Sequence, residues 1–459
     1  MTLIKSISGI RGTIGGPVGN TLSPLDVVKF TSAYAQWLID TNSGNIRVVT
    51  GRDARLSGPM IHQLVNQTLI GMGIDVIDLE LSTTPTVSLS VITEKANGGI
   101  VLTASHNPKQ WNALKLLNEN GEFINAQEGE KVLILAEETK FNYATVDQLG
   151  TLDPRPDAIE KHIESCLSLP LVNAAAIRAK KFKIVVDGVN SSGGIVIPQL
   201  LDALGAEVIK IHCTPNGDFP HNPEPLKEHL TDLCTTVVKE KADMGIAVDP
   251  DVDRLVFVDE KGVLFGEEYT LVACADYILS KTPGPTVSNL SSTRALLDVT
   301  KKYNQTYTAS AVGEVNVVTE MKNTEAVIGG EGNGGVIYPE SHYGRDALVG
   351  VVLFLSLLLE RNCSVSTLKT SYPTYYMAKY KVNLEEGIAP ESVLGQLEKK
   401  YKNEKISTLD GVKIDFEQSW VHLRKSNTEP ILRIYTEAQS QKEANELAEQ
   451  FTEEIKSLF

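Results

Sequence analysis

The 459-residue chain is poor in cysteine, in long apolar runs and in positive charge. Its five cysteines (Cys166, Cys213, Cys234, Cys274, Cys363) are scattered, odd in number and never spaced C-x-x-C. That pattern excludes a disulfide framework or a cysteine zinc site, and predicts reduced, structural thiols in a cytoplasmic protein. The most apolar stretch, Leu348 to Leu359, is only twelve residues and contains Ser356. It is too short to span a bilayer and predicts a buried helix. Met1 to Gly12 has no apolar segment, so no secretory signal is expected. Lysine and arginine number 43 against 58 aspartates and glutamates, a net charge of −15. This argues against nucleic-acid binding, and any anion site must be assembled locally. The expected partner is a small molecule, not a membrane or nucleic acid, and the chain is expected to be a monomer or homodimer.

What is present is an alternation of strand-like and helix-like segments. Apolar runs ending in Gly or Asp recur at Ile46 to Asp53, Lys183 to Gly188 and Met244 to Asp249, with helical patterns between them. The chain is too long for one core. The alternation predicts α/β layers with mixed sheets and ligands at strand ends. Asp153-Pro-Arg-Pro-Asp157 reads as a linker. Four units are expected: 1–153, 154–250, 251–370 and a smaller α+β unit at 371–459. In the last, strands near Gly411–Phe416, Trp420–Arg424 and Ile431–Thr436 precede a polar helix.

Four motifs carry chemistry. In the first, Ser105-His-Asn-Pro-Lys-Gln-Trp-Asn-Ala-Leu-Lys115 follows the apolar run Gly98 to Ala104. It places a hydroxyl at a strand-to-turn junction beside an imidazole (His106) and an amine (Lys115), groups suited to carrying a phosphoryl group. A turn rich in side-chain-to-backbone bonds is the competing reading. In the second, Asp249-Pro-Asp-Val-Asp-Arg254 sets three carboxylates at alternate positions, as a hard cation such as Mg²⁺ requires. An EF-hand is disfavoured because Arg254 stands where the sharp turn needs glycine.

The third motif, Gly329-Gly-Glu-Gly-Asn-Gly-Gly335, contains G-x-G-x-x-G, but Val336-Ile-Tyr-Pro339 follows and cannot open a helix. Glu331 and Asn333 instead suit sugar hydroxyls; a plain glycine-rich hairpin is the alternative. The fourth, Arg424-Lys-Ser-Asn-Thr-Glu-Pro430 with Arg433, offers two guanidiniums and a turn as a phosphate cradle.

Together these segments resemble the α-D-phosphohexomutases, in the family's order and over nearly the whole chain. Thr103 to Pro108 resembles the serine motif T-x-S-H-N-P, Asp249 to Arg254 the loop D-x-D-x-D-R, and Arg424 to Pro430 the phosphate loop R-x-S-x-T-E-P. Gly330 to Gly335 corresponds to the sugar loop G-E-x-S-G-H, and Ser8 to Gly12 contains the family's G-I-R-G.

The resemblance implies three related α/β domains and a capping fourth, with the site where all four meet. It implies a phosphoserine at Ser105, one Mg²⁺ per chain on Ser105, Asp249, Asp251 and Asp253, and a sugar bisphosphate as intermediate or activator. Phosphate would move between C1 and C6 of a hexose, with Arg11 and Arg254 stabilising charge. Lys115, given a lowered pKa, or His106 would take the hydroxyl proton; the alternative for Lys115 is a fixed cation that only stabilises phosphate. Substrate contacts would come from Glu331, Asn333, Arg424, Ser426, Asn427, Thr428 and Arg433.

The chain departs from the family pattern at Asn333 for serine, Gly335 for histidine, Asn427 for glycine and Ala113 for glycine. His342 is the nearest histidine able to replace the missing one. The expected substrate is glucosamine 6-phosphate; the alternatives are a phosphomannose/phosphoglucose mutase, a non-catalytic sugar-phosphate binder and a phosphatase.

Overall fold

The computed structural model describes residues 2–6, 9–384, 388–425 and 431–458. Twenty strands form four sheets. The first sheet has β1 (Ile4–Ser6), β2 (Gly9–Thr13), β3 (Arg47–Arg52), β4 (Asp75–Leu81), β5 (Gly98–Leu102), β6 (Trp111–Leu117) and β7 (Leu152–Pro154), in the order β1-β2-β6-β5-β3-β4-β7. The second has β8 (Lys183–Asp187), β9 (Glu207–Ile211), β10 (Met244–Val248) and β11 (Leu255–Asp259), ordered β11-β10-β8-β9. The third has β12 (Thr286–Asn289), β13 (Tyr307–Ser310), β14 (Ile328–Glu331) and β15 (Gly335–Ile337), ordered β13-β12-β14-β15.

These three sheets share one four-stranded kernel. In each, a central strand (β3, β8, β12) pairs in parallel with the next strand on one side and with a third strand (β5, β10, β14) on the other. The third strand then turns back into an antiparallel fourth (β6, β11, β15). Residue identities do not display this repeat; strand order and burial carry it. The turn between third and fourth strands is the equivalent place in all three units. It holds Ser105, the Asp249–Asp253 loop and Asn333 respectively.

The fourth sheet is wholly antiparallel: β16 (Tyr376–Asn383), β17 (Lys405–Ser407), β18 (Val412–Asp415), β19 (Trp420–Lys425) and β20 (Ile431–Ala438), in the order β16-β20-β19-β18-β17. Helix Gln441–Lys456 lays Ala444, Ala448, Phe451 and Ile455 on it and leaves its charged face to solvent.

Helix starts follow local chemistry. Ser23 with Asp26, and Asn125 with Glu128, form reciprocal caps. Asp346 caps Ala347–Arg361, whose apolar run is buried from Ala347 to Leu358 because it packs between the second and third units.

Two expected boundaries cut through paired strands. A division after Pro250 would split the hairpin in which Met244 pairs with Asp259. The expected linker at 153–157 begins as β7, an edge strand parallel to β4, where Pro154 is tolerated because the outer side needs no donor.

Candidate active site

The Asp249 loop meets the Ser105 turn in the interior. Ser105 Oγ donates to Asp249 Oδ2 at 2.6 Å. Asp249, Asp251 and Asp253 are wholly buried, and each can place one oxygen within 4.8 Å of the others. Asp251 accepts from Thr84 Oγ1 at 2.5 Å and from Lys115 Nζ at 2.7 Å. Asp251 Oδ1 and Asp253 Oδ1 are buried without any hydrogen-bond partner. Three buried carboxylates with two orphaned oxygens fit a hard divalent cation. Without one, burial and then the charges of Asp253 and Asp251 push the Asp249 carboxyl well above the usual range.

Both turns carry backbone strain. Ser105 has φ 49° and Val252, a β-branched residue between two of the aspartates, has φ 66°. Such conformations cost about 1–3 kcal/mol each and persist only where surrounding structure imposes them. For Ser105 the imposing group is Arg55, fully buried. Its Nε pairs with Asp53 Oδ2 at 3.0 Å. Its two Nη atoms donate to the carbonyls of Asn107 (2.7 Å), Pro108 (2.9 Å) and Trp111 (2.9 Å), and to that of Ser105 itself. Thr103 completes the brace, donating to Asp53 at 2.6 Å while accepting from the Ser105 amide at 2.9 Å.

A cleft opens from this point in two adjoining lobes of about 460 and 530 Å³, within the range of small-molecule sites. The first lobe touches Ser105, Lys115 and Glu314. The second reaches Lys379, Arg424 and Arg433 of the fourth unit. Both share Arg11, His106, Arg254, Glu331 and Asn333.

The chain matches the phosphoglucomutase/phosphomannomutase family unit by unit: alpha/beta/alpha domain I over residues 3–143, domain II over 160–262, domain III over 266–376 and the C-terminal domain over 380–454. A phosphoglucomutase/phosphomannomutase of Thermococcus kodakarensis is 34% identical over 443 residues, covering 95% of this chain and 96% of the relative. The chain belongs to this family of phosphohexomutases. A phosphoglucosamine/phosphogalactosamine mutase of Sulfurisphaera tokodaii is 32% identical, covering 96% of each. In fold, a phosphoglucomutase/phosphomannomutase family protein of Burkholderia thailandensis superposes with a TM-score of 0.85 at 24% identity, covering 99% of this chain and 98% of that one.

Set in this phosphohexomutase, most of the expected site residues converge on the cleft. His106 Nδ1 lies 3.4 Å from Ser105 Oγ. Burial, followed by the charge of Arg254, drives its pKa down to about 2. Lys115 overturns one expectation. Burial alone would lower its pKa, but Asp251 and Asp253, 2.7 and 3.6 Å away, outweigh burial and raise it. In this geometry Lys115 is a fixed cation. Glu331 is held by Arg345 at 3.0 Å and Asn289 at 2.9 Å. The glycine-rich segment is a tight hairpin, Glu331 pairing with Gly335, not an open loop. His342 does not replace the missing sugar-loop histidine; it is buried, with Nε2 3.1 Å from Asp346, and does not line the cleft. Ser426, Asn427 and Thr428 lie outside the described residues, as does Ser8 of the N-terminal landmark.

At the far end the guanidiniums crowd. Arg424 and Arg433 stand directly opposite across β19 and β20, and Lys381 faces Arg433 from β16. Like charges so placed repel unless an anion bridges them. Burial and then Arg433 lower the pKa of Arg11. The Nε atoms of Arg11, Arg254 and Arg424 are buried without an acceptor. These orphaned donors fit phosphate oxygens.

Arg55 and Arg345 escaped the sequence reading. Arg345 gathers Asp253 (2.6 Å), Glu314 (2.7 Å) and Glu331 (3.0 Å) on one guanidinium, joining the Asp249 loop to the sugar hairpin. The available signals were Gly51-Arg-Asp-Ala-Arg55 at a strand end, and a charged pair, Arg345-Asp346, opening an otherwise apolar helix. Glu268 was also missed. Its carboxylate fills the space that a Cβ on residue 332 would take, so a larger residue there would have to displace it. It accepts from the Thr293 amide at 2.8 Å and faces the second lobe.

Proposed function

We propose that this phosphohexomutase converts glucosamine 6-phosphate to glucosamine 1-phosphate through a phosphoserine at Ser105, in the cytoplasm. The supporting observation is the buried Ser105–Asp249 contact, beside orphaned carboxylate oxygens, at one end of a cleft whose other end is lined by Arg11, Arg424 and Arg433, the first two with a buried Nε that has no acceptor. Asp249, Asp251, Asp253 and the phosphorylated Ser105 would hold Mg²⁺, which supplies charge neutralisation for an in-line phosphoryl transfer.

The chain's own groups do the rest. Ser105, fixed by the Arg55 brace, presents its oxygen to the cleft. Arg11, Arg424 and Arg433 grip the phosphate that is not being transferred and so position the free hydroxyl near Ser105. Lys115 and Arg254 offset charge on the moving group. His106, kept neutral by its lowered pKa and with Nδ1 3.4 Å from Ser105 Oγ, is the group proposed to relay the hydroxyl proton, while Lys115 stays a cation. The bisphosphate formed then turns over and returns its other phosphate to the serine, because the two ends of the cleft hold phosphates alike.

An amino sugar is favoured by the acid on the wall of the second lobe: Glu224, Glu268 and Glu331 all face it. Burial raises the pKa of Glu268 well above the usual carboxylate range, and a 2-ammonium group, unlike a 2-hydroxyl, would favour its ionised form. Relatives named phosphoglucosamine mutase agree with this choice, and one named phosphoglucomutase/phosphomannomutase supports the alternative. The test compares turnover of glucosamine, glucose and mannose 6-phosphates in the wild type and in Glu268→Gln. Glucosamine 6-phosphate should be preferred, and the variant should lose about tenfold or more of that preference, the worth of one charge-assisted hydrogen bond. Equal or faster turnover of the neutral sugars by the wild type would assign the alternative substrate.

A further inference from the structure

Away from the cleft, Asp187, His212 and His221 meet at the ends of β8 and β9. Asp187 ends β8, one strand over from the Asp249 loop. His212 Nδ1 and His221 Nε2 each lie 3.1 Å from the same oxygen, Asp187 Oδ2. The other nitrogen of each ring also meets an acceptor. His221 Nδ1 lies 2.8 Å from the Asn222 carbonyl, and His212 Nε2 3.5 Å from Asp232 Oδ2.

A carbonyl or carboxylate oxygen cannot donate. His212 Nε2, 3.5 Å from the exposed Asp232, is not held by that contact, but His221 has only two ways to satisfy both nitrogens. It can be an imidazolium, or it can be neutral with a lone pair directed at a cation shared with Asp187. Two imidazoliums would place like charges on rings 5.5 Å apart against one carboxylate. The second arrangement is the common pattern of metal-binding histidines, whose outer N–H is fixed by a carbonyl or carboxylate.

The other buried pair of histidines shows the contrast. His162 and His342 both meet Asp346, but the Nδ1 of His162 faces the Thr86 hydroxyl, which can donate, and the Nδ1 of His342 faces no acceptor. Neutral rings satisfy that cluster without a cation.

Strain marks the same place. Val189, Asn190 and His212 all have left-handed φ, 46°, 51° and 49°, and the β-branched Val189 resists it.

We propose that Asp187 Oδ2, His212 Nδ1 and His221 Nε2 form a second metal site, taking a borderline divalent ion of the Zn²⁺ class. Imidazole nitrogens select such an ion over Mg²⁺. Metal–ligand bonds of about 2.0–2.1 Å imply tetrahedral ligand–ligand edges of about 3.3–3.4 Å. The observed 3.1 Å edges need only a slight opening. The ring nitrogens are 21% and 16% exposed at side-chain level, so an ion has access.

The ion would pin the segment between the two histidines. That segment supports the serine turn from the second unit: Gly217, at φ 73°, packs directly on the Ala54 carbonyl, and Phe219 lies under the Arg55 guanidinium, 5.1 Å from ring centre to Cζ. The second ion would thus stiffen the serine brace without touching substrate.

The test titrates the full-length enzyme with Zn²⁺ in a large excess of Mg²⁺, followed by gel filtration and metal analysis. One Zn²⁺ per chain should be retained, with X-ray absorption showing two imidazole ligands. Asp251→Asn, which removes a ligand of the first site, should retain it equally. The double variant His212→Gln/His221→Gln should bind about 100-fold more weakly or not at all, and Zn²⁺ should raise the thermal midpoint of the wild type but not of this variant. If that variant does not fold, the ligand set seen by X-ray absorption on wild type decides. No retention by wild type, equal retention by the double variant, or a spectrum without imidazole would overturn the proposal.

Discussion

The two ends of the cleft are built on opposite principles. At the serine end, opposite charges are buried and locked together: Asp53 with Arg55, Lys115 with Asp251, and Arg345 with three carboxylates. At the fourth-unit end, like charges are set side by side, Arg424 against Arg433 with Arg11 nearby. The first end fixes a position to within the tolerance that phosphoryl transfer demands. The second, where Asp410 at 2.8 Å from Arg424 offsets only part of the charge, is a cradle for an anion. The parallel kernels, with their buried strand ends, support the former. An antiparallel sheet with one solvated face supports the latter.

The contrast predicts effects on kcat at one end and on KM at the other. The largest loss should come from Ser105→Ala: turnover down by about 10⁴-fold or more, the scale for removing a covalent nucleophile. Intact mass should show a phosphoryl group on the wild type and none on the variant. Isomerisation at a normal rate by this variant would end the contrast outright.

Next is Arg55→Met. The serine turn would lose four carbonyl contacts, and a displacement of about 1 Å costs about 10²-fold in kcat. KM should hardly change, because Arg55 touches no substrate. A rise in KM with kcat intact would place Arg55 in binding instead.

The smallest effect should come from Arg433→Ala, a rise of about 10- to 100-fold in KM, matching one charge-assisted hydrogen bond. Because removal also relieves repulsion, Arg11 and Arg424 should partly take over. A kcat defect exceeding the KM defect would blur the two-ended picture.

The same contrast explains what the sequence disclosed. Ser105, the three aspartates and the arginine motif were legible because their chemistry is concentrated in short segments at strand ends. The buried helix from Ala347 was legible from its unbroken apolar run. Arg55 and Arg345 were not, because their partners lie far along the chain: Arg55 serves a turn about fifty residues on, and Arg345 reaches back 92 residues to Asp253. The charge state of Lys115 was left open between a lowered-pKa base and a fixed cation for a related reason. Neighbouring cations in the sequence pointed to a lowered pKa, whereas the fold surrounds the amine with carboxylates from the second unit. The shared kernel of the three sheets was invisible in identities, since apolar residues are interchangeable at buried strand positions.

That shared kernel has a consequence for how the molecule can change. In the proposed function, one hairpin tip serves three trades: carrying phosphorus, holding a cation, and reading a sugar ring. Each tip is an insertion between strands whose pairing does not depend on it. New preferences among hexoses can therefore be written into residues 332–335, whereas Glu331, tied through Arg345 to Asp253, must stay if the transfer machinery is to keep its place.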